Sequence, residues 1–148
     1  MRKSFVAVTA LALTLVATPS AAQQTSRAYT EGTVVVESYI RTKPGMFNAY
    51  MDYLKNTWKQ QLEAQKQAGL VSDYYVQGTT DSRGPTDYNL VLVTVYPNMA
   101  AFDGLEDRAE PINARLLGTM QQRDQAAISR EAMRDLVGSR RFRTYTLR

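Results

Sequence analysis

The sequence predicts an α+β domain in which one antiparallel sheet carries its helices on a single face. Three observations lead there. A β-branched run, Thr33 to Arg41, gives way at Lys43-Pro44-Gly45 to apolar residues at helical spacing. A nearly continuous apolar run, Tyr88 to Tyr96, has the composition of a central strand covered on both sides. The segments also fall in the order β-α-β-β-α-β, for which one sheet with helices on one face is the simplest two-layer solution.

Each element has its own signal. In the first strand, Val34, Val36, Ser38 and Ile40 alternate with Val35, Glu37, Tyr39 and Arg41. From Met46, the residues Phe47, Tyr50, Met51, Leu54, Trp58 and Leu62 recur at three- and four-residue steps and form one apolar stripe. Gly69 ends that helix at about Ala68. Leu70 to Gln77 reads as a short strand, and Gly78 to Asp87, with Ser82-Arg83-Gly84-Pro85, as the clearest loop. Pro97 stops the third strand, Asn98 caps, and Met99 to Phe102 begins a helix. Gly104 and Pro111 are expected to divide the next region into a short and a longer helix. Ile112, Leu116, Met120, Arg123 and Ala127 carry the stripe, and Ala132, Leu136 and Val137 extend it to Gly138. Arg140 to Leu147 alternates as a terminal strand.

The amino terminus has the three parts of an export signal in order. Arg2 and Lys3 are basic, Phe5 to Val16 is apolar, and Pro19-Ser20-Ala21-Ala22 offers small residues for cleavage before Gln23. The apolar run is shorter than the roughly 20 residues a membrane anchor needs. Residues 1–22 are therefore read as a signal peptide, 23–32 as a flexible leader and 33–148 as one domain. The mature chain is expected in the periplasm or secreted, with no transmembrane segment.

Composition removes several classes of chemistry. The chain has no cysteine and no histidine. A disulfide framework, the usual zinc, copper and haem ligands, and every His- or Cys-based catalytic arrangement are excluded. No metal and no cofactor are expected, since no spacing suggests an all-carboxylate site or a tyrosine-bound haem. The formal charge is +4, of which Arg2 and Lys3 contribute two, so the mature domain carries +2. That balance and export both argue against a nucleic-acid partner. Six arginines from Arg130 onward nevertheless make the carboxyl-terminal end basic. They read as a solvated face, or as a surface for anionic lipid or an acidic ligand.

Two junctions carry a family resemblance: the first strand running through Lys43-Pro44-Gly45 into an amphipathic helix, and Tyr96-Pro97-Asn98-Met99-Ala100-Ala101-Phe102 after the third strand. Over about Thr33 to Leu147 the chain resembles the dimeric α/β-barrel superfamily of ferredoxin-like domains. That group includes antibiotic biosynthesis monooxygenase-like and stress-responsive barrel-like proteins. The resemblance implies a homodimer formed through the helix-free sheet faces, and a small cavity between sheet and helices. Members that use a histidine have no counterpart here, and the region from Pro111 to Gly138 is longer than the plain unit. Trp58, Asn48 and a nearby tyrosine are similar in type to residues of the cofactor-free monooxygenases.

Two groups of side chains are candidates for function. Tyr50, Trp58, Tyr74 and Tyr88 are expected to line an apolar pocket for an aromatic or acyl ligand, the competing reading being that they fill the core. Glu37 and Tyr39 on the first strand, with Arg143 and Tyr145 on the last, would form a proton-transfer or anion site, or else an ion pair at a dimer interface. The leading expectation is an exported homodimer that binds a small apolar or aromatic ligand. The alternatives are a cofactor-independent monooxygenase or isomerase using Tyr, Arg and Glu, and an envelope-associated structural or interaction protein.

Overall fold

The computed structural model describes residues 27–81 and 83–148. The signal-peptide reading of residues 1–22, the start of the leader and loop residue 82 lie outside the described residues. Strand β1 spans Tyr29–Thr42, followed by helix α1 (Phe47–Tyr53), a π-helical turn (Leu54–Trp58) and helix α2 (Lys59–Gln67). Strands β2 (Asp73–Gly78) and β3 (Leu90–Tyr96) lead to a 3-10 turn (Met99–Phe102). Helices α3 (Leu105–Leu117) and α4 (Met120–Glu131) precede strand β4 (Arg134–Leu147).

The four strands are antiparallel and lie in the order β2-β3-β1-β4, a ferredoxin-like arrangement. Cross-strand partners share a face, so register decides what the helices cover. Ile40 opposes Leu90 and Ser38 opposes Leu92, while Leu92 also opposes Val76. Ile40 and Leu90 form the core with Tyr50 and Leu54, against which Trp58, Val76, Leu92 and Met133 pack. The helix-covered face of β1 is thus Val34, Val36, Ser38 and Ile40, which leaves Val35, Glu37 and Tyr39 on the helix-free face. In β3 both faces are used: Leu90, Val91 and Val93 are all buried.

Several boundaries differ from the sequence expectation, each for a local reason. β1 begins at Tyr29 instead of Thr33, because Tyr29, Thr30 and Glu31 pair with Leu147, Thr146 and Tyr145. Gly32 sits at a bulge in that pairing, where a Cβ would come 2.5 Å from Thr144 Oγ1. β2 starts only at Asp73, since Leu70 and Val71 are buried in the connection leaving α2. Pro111 does not divide the third helical region; it lies inside α3, and the break comes at Gly118, whose φ of 80° a side chain would resist. Thr119 then caps α4 in a capping box with Gln122. Leu136, Val137 and Gly138 belong to β4, not to a helix. A second bulge between Tyr39 and Ile40 absorbs the extra residue there.

Candidate functional site

The apolar cleft begins with the α1–α2 rod. The backbone N–H of Lys59 donates to Leu54 O, one residue further back than in an α-helix, and this wide turn ends on Trp58. The Trp58 ring meets Tyr74 of β2 edge to face, centroids 5.4 Å apart. Met51, Leu54 and Val76 complete the walls of a cavity of about 220 Å³, which Lys55, Lys59 and Tyr75 also border, Tyr75 from the opposite face of β2. The Tyr74 hydroxyl donates to Glu63 Oε1 at 2.5 Å. Partial burial of the ring first, and the Glu63 carboxylate second, push this phenol up to about 12. The phenol therefore stays a neutral donor at any ordinary pH.

A second cavity, about 380 Å³, lies at the bulge of β4 and is lined by Tyr39, Arg83, Tyr88, Gly138, Ser139 and Arg140, with Val137. The Tyr39 and Tyr88 rings are 4.8 Å apart. Tyr39 donates its hydroxyl to Glu37 Oε2 at 2.6 Å, and this bond, ahead of burial, raises the Tyr39 phenol above its ordinary value. Glu37 does not line that cavity.

The eight candidate residues thus divide among four places. Trp58 and Tyr74 share the apolar cleft, and Tyr39 and Tyr88 share the second cavity beside Glu37. Tyr50 is 1 % exposed, stacks on Tyr53 and is held above its ordinary pKa by burial, which makes it a core residue. Arg143 and Tyr145 lie at the other end of the sheet. Arg143 pairs with Glu31 at 2.7 Å, and Tyr145 meets Tyr29 edge to face. The expected grouping of Glu37 with Arg143 does not form, because Arg143 opposes Val34 while Arg140 opposes Glu37. Asn48 is exposed on the first turn of α1. Sequence reasoning missed Met51, Tyr75 and Val76 in the cleft, although the alternation of β2 places Tyr74 and Val76 together. Nothing periodic marks Arg83, which comes from the loop before β3.

No family model matches the chain, and no curated protein is similar to it. Solved structures with a similar backbone include HapK from Hahella chejuensis, at 14% identity, covering 74% of this chain and 90% of that one with a TM-score of 0.49. A dimeric ferredoxin-like protein from an uncultured marine organism is 7% identical over 80% of this chain and 90% of that one, with a TM-score of 0.49. A Nipsnap family protein of unknown function from Agrobacterium tumefaciens is 19% identical over 79% of this chain and 89% of that one, with a TM-score of 0.40. The fold class rests on this chain's own sheet order and helix placement.

Proposed function

We propose that the chain is exported, begins at Gln23 once mature, and works as a homodimer that binds a small apolar or aromatic molecule in the Trp58–Tyr74 cleft. The observation that carries this reading is the cleft itself. It is a groove open to solvent on one side with about 220 Å³ of room, of the order of the roughly 150 Å³ apolar cavity that takes up benzene. Its walls are mainly aromatic and aliphatic, so the gain on binding comes from removing ring surface from water. The Tyr74 hydroxyl is already committed to Glu63, which leaves its ring as the contacting surface. Binding is favoured over catalysis because the candidate base, Glu37, accepts the Tyr39 hydroxyl and stands outside the cavity next to it.

Trp58 is the only tryptophan, so its emission reports this cleft alone. Titration with toluene is expected to quench or shift that emission to saturation. Val76→Phe, which fills the cleft, should abolish the change while costing about 1–3 kcal/mol of stability at most. An emission that stays constant up to the solubility of toluene refutes the reading, as does an equal response in the folded Val76→Phe protein.

A further inference from the structure

A third cavity, of about 400 Å³, opens between the α1–α2 rod and the α3–α4 pair. It is separate from the Trp58 cleft and contains two arginines of unequal standing. Arg123 is neutralised: Nη1 and Nη2 donate to the two carboxylate oxygens of Glu110 at 2.8 and 2.7 Å. Arg130 is not. Its Nη1 donates to the Tyr53 hydroxyl at 2.8 Å, its guanidinium lies 5.6 Å from the centre of the Tyr53 ring, and among the described residues no carboxylate pairs with it. The Nε atoms of both arginines are shielded from solvent and have no hydrogen-bond partner among the described residues. A half-buried guanidinium loses hydration, and an anion set against its free N–H groups offsets that loss better than a neutral acceptor does.

The rest of the lining selects the kind of anion. The Asn113 carbonyl accepts from Gln61 at 2.9 Å and from Gln65 at 3.5 Å, which leaves its amide N–H groups as the donors still to be used. Leu116, Leu117 and Ala126 provide an apolar wall in the same cavity. Donors without a matching acid, set beside aliphatic surface, suit a molecule with one negative head and a short hydrocarbon body.

We propose that this cleft binds a small organic carboxylate, with its head on Arg130 and its chain against Leu116 and Leu117. The probe is octanoate, with 1-octanol as the uncharged control, followed by calorimetry on the whole mature chain. Octanoate should bind at one site and octanol about tenfold or more weakly, the worth of a charge-assisted pair. Arg130→Gln should weaken octanoate by a similar factor, and Arg130→Lys by less. Val76→Phe should leave octanoate binding intact, which separates this site from the Trp58 cleft. Equal affinity for octanoate and octanol overturns the proposal on the unaltered protein, whatever the variants do. Unchanged octanoate affinity in folded Arg130→Gln overturns it too, and so does its loss in Val76→Phe.

Discussion

At the scale of single residues, the phenols carry the clearest consequences. The Tyr74 phenol is raised to about 12 in the folded chain, against about 10 when unfolded. The folded state therefore holds a proton that the unfolded state has released. The resulting stability is fully present below pH of about 10 and is lost as pH rises through about 12. Tyr39, Tyr50 and Tyr96 are shifted in the same direction. Alkaline denaturation should accordingly steepen above pH of about 10, and Tyr74→Phe should make the fall shallower. Ultraviolet titration of phenolate in the folded protein should lose its last step, near pH 12, in the same variant; a step that persists would place that shift on another tyrosine. Strand alternation puts Tyr74 and Val76 on one face, a pairing that the spacing carries but that the sequence reading did not draw. The placement of Arg143 was not legible in the sequence, because register between β1 and β4 depends on two bulges, and one slipped residue moves a side chain to the opposite face.

At the scale of elements, the rod from Phe47 to Gln67 shows what periodicity can and cannot reveal. Leu54, Trp58 and Leu62 are four residues apart, a spacing that fits an α-helix and hides the wide turn between them. Its extra residue goes with a rod in which Tyr50 and Leu54 pack on the sheet, α2 packs on α3, and Trp58 meets Tyr74 of β2. Asn56 is exposed in this turn, so deleting it should tighten the rod into a regular helix without unfolding it. Circular dichroism should then show unchanged helix content, whereas Trp58 should become more exposed and the toluene response should fall about tenfold or more. Loss of the helix signal on deletion would mean instead that the wide turn is needed for folding. The two breaks misjudged in sequence have related causes. Pro111 fits into α3 at the cost of one backbone donor, on an exposed side where water can serve the freed carbonyl. Gly138, read as a helix stop, sits instead in β4 beside a bulge, a use of glycine in strands that composition alone does not separate from a cap.

At the scale of the whole molecule, the unresolved quantity in the sequence was which face of β1 the helices leave open, and the core answers it. Ile40 lies under Tyr50 and Leu54, so Val35, Glu37 and Tyr39 are on the helix-free side. Phe142, opposite Val35, and Tyr75, opposite Val93, extend that side to the neighbouring strands, and both remain over 40 % exposed. Aromatic and aliphatic side chains gathered on one open sheet face form the kind of patch that a second copy covers by two-fold symmetry. Native mass spectrometry of the exported protein should therefore show two copies of a chain that begins at Gln23. Phe142→Asp would place a carboxylate on that open face in each subunit, and should weaken association about a hundredfold or more. The fold itself should survive, since Phe142 is already half in water. A single copy in the unaltered protein would refute the homodimer, and a mass that retains residues 1–22 would refute the export reading.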